Sequence, residues 1–235
     1  MSAASRLEQL AAQYGLASPA VGALDRLLAL VGSDPAAPTA VRDPATAVDT
    51  HVADALVALD LAEVRGARRI ADLGSGAGFP GLVLAAALPG AEVAVVESNR
   101  RKCAFLERAA AQMGLVNVAV VPARAESWAA GMGTRDLVTA RALAPLAVLV
   151  EYAAPLLGEG GALLAWKGRR DAAEEADGAA AATATGLQLA ELRPMQPWTG
   201  AEHLHLHLYV KVGLTPNRFP RRPGMASKRP LRASS

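Results

Sequence analysis

The chain has 235 residues, 52% of them hydrophobic and 20% charged, with 24 basic and 22 acidic side chains and a formal net charge of +2. So much apolar content with so little unbalanced charge excludes a wholly disordered chain, and a single cysteine, Cys103, excludes a disulfide scaffold and points to a reducing compartment. No basic leader followed by a compact apolar stretch opens the chain, and the longest uncharged apolar region, Phe79 to Ala91, is short for a bilayer and contains Pro80 and Pro89, so a cytoplasmic protein away from membranes is expected.

Leu7, Leu10, Ala11 and Tyr14 stand at helical spacing within Ala3 to Leu16, and a second helical pattern runs from Pro19 to Val31. Gly32 to Pro44, rich in Pro, Asp and Ala, reads as a loop. The spacing then predicts one helix from Thr46 to Leu61, with His51, Asp54 and Ala58 on one side and Val52, Leu56 and Leu59 on the apolar side. From Arg68 the period changes. Strand signals at Arg69 to Gly74, Glu92 to Glu97, Asn117 to Val121, Leu137 to Arg141 and Gly161 to Trp166 alternate with helix signals after Pro80, from Ser98 or Asn99 to Met113, and after Pro145. A helix at Asp171 to Thr185 leads to strands at Leu187 to Leu192 and His203 to Val212. Such alternation implies βαβ units, and so an α/β fold with a mostly parallel sheet. The last strand alternates His203, His205 and His207 with Leu204, Leu206 and Leu208, which predicts an edge or antiparallel strand with one wet face. No Cys or acidic ligand stands close by, so no metal is expected there.

The total charge conceals an asymmetry. Arg218, Arg221, Arg222, Lys228, Arg229 and Arg232 give residues 213–235 a charge of +6, and the rest of the chain is acidic. Pro216, Pro220, Pro223 and Pro230 oppose helix and strand, so this arm is expected to be extended, either as a solvated terminus or as a grip on phosphates.

The most informative segment is Asp72-Leu-Gly74-Ser-Gly76-Ala-Gly78-Phe-Pro-Gly81, which follows a strand and opens a helix. Glycines there let the backbone turn sharply at the carboxyl end of the sheet and let a ligand lie against bare amides. Gly76 to Gly81 matches the G-x-G-x-x-G pattern of dinucleotide sites, with Glu97 about 20 residues on to bind ribose hydroxyls. The acid ahead of Gly74-x-Gly76-x-Gly78 is instead the arrangement of S-adenosylmethionine enzymes, and Glu97 serves either ligand. Asp72 has a further reading, as an organiser of loop amides.

Asp72 to Gly81, Glu97-Ser-Asn-Arg-Arg-Lys-Cys-Ala-Phe-Leu106, Gly114-Leu-Val-Asn117, Arg124-Ala-Glu126 and Thr139-Ala-Arg141-Ala142 resemble, in order and spacing, the glucose-inhibited division protein B family. His51-Val-Ala-Asp54-Ala-Leu56, Trp166-Lys167-Gly168, Phe219 to Gly224 and Lys228-Arg-Pro-Leu231 extend the match. Glu97 stands where the family often has Asp, which keeps the carboxylate, and Ala55 where it often has Ser. The resemblance implies a Rossmann-like class I S-adenosylmethionine-dependent methyltransferase whose last strand is antiparallel. It would transfer a methyl group to N7 of a guanine in 16S ribosomal RNA, alone or within a small-subunit particle, as a monomer.

The expected parts are an N-terminal helical cap (1–64), a methyltransferase core (65–212) and the basic arm (213–235). The resemblance assigns Gly74, Phe79, Ala125, Glu126 and Arg141 to the cofactor site, and Gly76, Gly78 and Glu97 join them from the loop and ribose arguments. Arg141, Lys167, Arg218, Arg221, Arg222, Lys228 and Arg229 are expected to meet RNA, with Arg100, Arg101, Lys102, Arg169 and Arg170 as further candidate cations. Guanine N7 carries no proton and already offers an in-plane lone pair, so no general base is expected. A nicotinamide-dependent oxidoreductase and a non-catalytic RNA-binding protein are the competing readings.

Overall fold

Ser2 opens the first helix in a computed structural model that describes residues 2–233, its hydroxyl accepting from the Ser5 amide at 3.2 Å. Residues 1, 234 and 235, at the outer ends of the expected cap and arm, lie outside the described residues. Helix α1 (Ala3–Tyr14) and helix α2 (Ser18–Ser33) bury Leu7, Leu10, Leu24, Leu27 and Leu28. The helix expected at Thr46 to Leu61 is instead four short pieces. They are α3 (Pro44–Ala47), a π turn (Val48–Ala53), α4 (Asp54–Leu56) and a 3₁₀ turn (Val57–Asp60). Val48, Thr50 and Val52 are β-branched and weaken regular helix, and the wider π turn, a device concentrated at functional sites, changes the phase of the residues after it. Helix α5 (Ala62–Gly66) completes the region.

The core follows as β1 (Arg69–Leu73), α6 (Gly81–Ala87), β2 (Glu92–Val96), α7 (Arg100–Met113), β3 (Val118–Val121), β4 (Arg135–Arg141), α8 (Leu146–Ala153), β5 (Leu157–Lys167), α9 (Ala172–Thr185), β6 (Leu187–Met195) and β7 (Leu204–Lys211). The seven strands lie in the order β3-β2-β1-β4-β5-β7-β6, with β1 to β5 parallel to their neighbours and β7 antiparallel to both β5 and β6. Ile70, Val93 and Leu137 share one core with the N-terminal helices, α6 and α7. Ala71, Leu73, Ala94 and Val96 share the other with α8 and α9. Sheets covered on both faces need near-continuous apolar strands, which β1 and β2 are. The strand order reverses between β1 and β4, and in such sheets that is where a ligand crevice opens.

Two expectations about the C-terminal part are corrected. The last strand is antiparallel but lies between β5 and β6, so β6 is the edge. Its histidine face is also covered: His207 is 2% exposed, 3.7 Å from Glu175 at the start of α9. Gly178 permits the cover, since a Cβ there would stand 2.9 Å from the Tyr209 hydroxyl. Burial lowers the His207 pKa, so its ring is neutral at pH 7. His203 precedes the strand with a positive φ of 61°, and the three rings do not form one wet row. Among the described residues no group of three or more His, Cys, Asp or Glu side chains could hold a metal ion.

The basic arm folds back onto the body rather than extending from it. Phe219 and Ala226 are buried, and helix α10 (Met225–Lys228) packs against α8. Prolines do interrupt regular structure, but they leave tight turns and one short helix that the buried Glu151 and the half-buried Glu126 can hold from below. Among the described residues no helix is long and apolar enough to cross a membrane.

Candidate active site

At the end of β1 the chain turns at Gly74, whose φ is +66°, and its amide donates to the Val96 carbonyl at 2.8 Å. A Cβ there would lie 2.6 Å from a methyl of the exposed Leu143 side chain, which can move aside, so it is the backbone conformation that favours glycine. Gly81, at the start of α6, is needed for space: a Cβ would fall 2.8 Å from the Asp72 carboxylate and from Val95. Its amide donates to Asp72 Oδ2 at 3.2 Å while the Thr139 hydroxyl donates to Oδ1 at 2.8 Å. Burial pushes the Asp72 carboxyl up to about 6, against the lowering effect of those hydrogen bonds. Asp72 thus organises the loop from beneath and does not line the crevice.

Above it a cavity of about 440 Å³ opens at the carboxyl ends of β1, β2, β3 and β4. Leu73, Val96 and Leu143 give it apolar walls, and Gly74, Glu97, Lys102, Ala125, Glu126 and Tyr152 face the same space. Glu97 closes β2 with one oxygen accepting from the Asn99 amide at 2.8 Å and the other from the Gly76 amide at 3.3 Å. A carboxylate oxygen has a second lone pair, so Glu97 can still accept from hydroxyls in the cavity. The structure therefore brings Gly74, Glu97, Ala125 and Glu126 together, as expected.

Gly76, Gly78, Phe79 and Arg141 do not line that cavity. Gly76 serves it indirectly by holding Glu97. The Phe79 ring is buried and stacks on His51, with centroids 4.4 Å apart and planes inclined by 21°, and the Arg141 guanidinium lies 5.5 Å from its centroid. Phe79 thereby pins the glycine loop to the N-terminal region. Arg141, at the end of β4, donates to Asp54 Oδ2 at 2.6 Å and to the Thr50 carbonyl at 3.1 Å. Burial and the neighbouring Arg141 lower the His51 pKa to about 4, so this ring is neutral at pH 7. The π turn is what presents Thr50, His51 and Asp54 to one guanidinium, a detail that regular periodicity could not show.

Arg141 opens instead on a second cavity, of about 230 Å³, together with Asp54, Trp166, Lys167, Met195 and Leu204. Ala142 borders both cavities and has a positive φ of 53°, a conformation that non-glycine residues seldom hold and that concentrates at functional sites. Lys167 pairs with Glu174 at 2.6 Å, so its charge is partly answered within the protein.

The arm reaches the first cavity from outside. The Gly224 amide donates to Glu126 at 2.9 Å, and the Tyr152 hydroxyl shares a hydrogen bond with Ser227 at 3.0 Å. Arg221, expected to meet RNA, instead donates from Nε and Nη2, one edge of its guanidinium, to both carboxylate oxygens of Glu151, which is 2% exposed. A buried carboxylate demands such a partner. Arg218, Arg222, Lys228 and Arg229 are exposed and make no ion pair among the described residues. Tyr152, Leu143 and Glu151 escaped the sequence reading; the only signal was a Glu-Tyr pair inside an otherwise apolar helix.

Residues 34–197 match the family model described as rRNA small subunit methyltransferase G. A protein of Desulfitobacterium hafniense named ribosomal RNA small subunit methyltransferase G is 39% identical over 196 residues, which are 82% of this chain and 81% of that one. The chain belongs to this family. A second member of the rRNA small subunit methyltransferase G family, from Acidiphilium cryptum, is 48% identical over 164 residues, covering 69% of this chain and 71% of its own. The fold is that of an S-adenosylmethionine-dependent methyltransferase, as in one from Aquifex aeolicus with a TM-score of 0.51 at 16% identity, covering 62% of this chain and 82% of that one.

Membership in the methyltransferase G family decides between the two cofactor readings in favour of S-adenosylmethionine, and the nicotinamide reading falls. The donor set agrees. The first cavity lies within the size range of small-ligand sites, and it combines apolar walls for a purine, a carboxylate for a ribose diol and bare backbone at Gly74.

Proposed function

We propose that Gly74, Glu97, Ala125 and Glu126 hold S-adenosylmethionine in the larger cavity, with Asp72, Gly76, Gly78 and Phe79 shaping the loop beneath it. The reaction is methyl transfer to N7 of a guanine in 16S ribosomal RNA. When bound, the cofactor supplies a sulfonium methyl group. This chain's residues orient it: Glu97 accepts ribose hydroxyls, Leu73, Val96 and Leu143 enclose the base, and Gly74 leaves its backbone free for close approach. Because N7 attacks with a lone pair it already has, alignment carries the rate, and well-oriented reactants can gain roughly 7 to 11 kcal/mol in this way. The observation that carries this reading is the convergence of Gly74, Glu97, Ala125 and Glu126 on one cavity in a chain of this family.

Arg218, Arg222, Lys228 and Arg229 are the arm's phosphate contacts, supported by their exposure and lack of acidic partners, and Lys102 and Lys167 add charge at the two cavity rims. Arg221 is withdrawn from that set. The division into cap (1–64), core (65–212) and arm (213–235) follows the same functions, although cap and core share one hydrophobic cluster. A monomer acting on ribosomal RNA in a cytoplasmic setting completes the reading.

Two measurements test this. Calorimetry is expected to show binding of S-adenosylhomocysteine and none of NAD(H), and the reverse refutes the cofactor. Replacing Arg222, Lys228 and Arg229 together by Ala is expected to reduce the salt slope of RNA binding by about 2 to 3, and an unchanged slope removes the arm from the RNA interface.

A further inference from the structure

In the major groove of duplex DNA, guanine is most commonly read by an arginine or lysine that bonds O6 and N7 together. An enzyme that uses N7 as nucleophile cannot do so, because the reading bond would occupy the lone pair that must attack. Guanine's identity then has to be taken from its other edge, where N1–H and the N2 amino group offer two adjacent donors. A carboxylate, with two acceptor oxygens side by side, is the matching group.

The smaller cavity contains one. Asp54 lines it, is 6% exposed, and among the described residues only its Oδ2 accepts a hydrogen bond, from Arg141 at 2.6 Å. Its Oδ1 takes none. Trp166 Nε1 donates to the Asp54 backbone carbonyl at 2.8 Å, which fixes the residue's main chain. Trp166, Met195 and Leu204 supply apolar surface, and the strained Ala142 is the border with the larger cavity.

We propose that the smaller cavity receives the unstacked target guanine and that Asp54 accepts from its N1–H and N2 amino group, making Asp54 the specificity-determining residue. This rests on the larger cavity holding the cofactor. With the base so held, N7 forms a bond to the methyl carbon while the methyl–sulfur bond breaks with its electrons passing to sulfur, and no proton leaves. The purine becomes cationic as this happens, and its N1–H and amino group become stronger donors. The bonds to Asp54 therefore tighten in the transition state, which is the condition for an interaction to raise the rate and not only the affinity. Burial raises the Asp54 pKa, and Arg141 opposes that rise and holds the carboxylate in place without touching N7.

The test uses small-subunit particles rebuilt with 16S RNA that carries guanosine or inosine at the mapped methylation position. Inosine keeps N7, O6 and N1–H and lacks only the amino group. The wild-type protein is expected to show at least about a tenfold lower kcat/KM on inosine, the loss that a bond to a charged group implies. Asp54→Asn is expected to lose activity on guanosine while the ratio between the two substrates falls to within about twofold, with S-adenosylhomocysteine binding and melting temperature as checks on folding. Wild-type discrimination below twofold, or an Asp54→Asn protein that loses both activities with the ratio preserved, overturns the proposal. Equilibrium binding of the two particles with S-adenosylhomocysteine present gives the same comparison without turnover. A guanosine particle that is bound but not methylated refutes the proposed function, and the binding ratio still decides the role of Asp54.

Discussion

Arg221→Ala is the sharpest perturbation of the arm, because it leaves Glu151 buried without its partner. Removing one half of a buried ion pair costs about 3 to 5 kcal/mol. The arm can lift and let water reach Glu151, so the cost cannot exceed what docking is worth. That docking buries Phe219 and Ala226 and makes the bonds to Glu126 and Tyr152. The lower end, about 3 kcal/mol, is therefore expected, and for a chain of this size it is a fall of about 6 to 12 °C in Tm. Differential scanning calorimetry measures it, and limited trypsin digestion reports undocking as faster cleavage after Arg218 and Lys228. Adding Glu151→Leu to Arg221→Ala is expected to restore most of the loss, since the stranded charge is gone. A Tm within about 1 °C of wild type, together with an unchanged cleavage rate, would refute the reasoning and leave Arg221 as surface charge.

Gly81→Ala places a methyl 2.8 Å from Asp72 and Val95 and is expected to cost about 1 to 3 kcal/mol; an unchanged denaturant midpoint would contradict that crowding. Asp72→Asn tests the buried carboxyl through pH. The folded-state pKa of about 6 lies above the ordinary value of 3.8, so the wild type's protonated-state stability is full below about 4 and is lost as pH rises through 6. The variant should gain in Tm relative to wild type between pH 4 and pH 8, by what roughly 2 to 3 kcal/mol of linkage implies, and a pH-independent difference would sink the assignment.

The alternation from Arg69 to Trp166 was legible because buried parallel strands and capped helices each obey local rules. Asn99 caps α7 and Gly114 ends it in the left-handed conformation, where the composition placed them. Of the candidate site, Gly74, Glu97, Ala125 and Glu126 converge because all sit at carboxyl ends of neighbouring strands, which topology guarantees. What stayed hidden depends on partners far along the chain. His207 reads as wet until α9 lies over it, and Arg221 reads as a phosphate ligand until Glu151, 70 residues earlier, claims it. Arg141 and Phe79 were matched to the cofactor, but the π turn draws Arg141 to Asp54 and sets the Phe79 ring against His51.

Glu126 and Tyr152 each belong to two things at once, the wall of the larger cavity and the bed on which the arm rests. Shared residues make the two events thermodynamic partners. If a ligand in the cavity steadies Glu126 and Tyr152, it firms the seat of the arm, and a polyanion that clamps the arm must then raise the ligand's affinity by the same factor, because coupling between two binding events is reciprocal. With the cofactor placed as proposed, a basic tail seated in this way becomes a second input to its site.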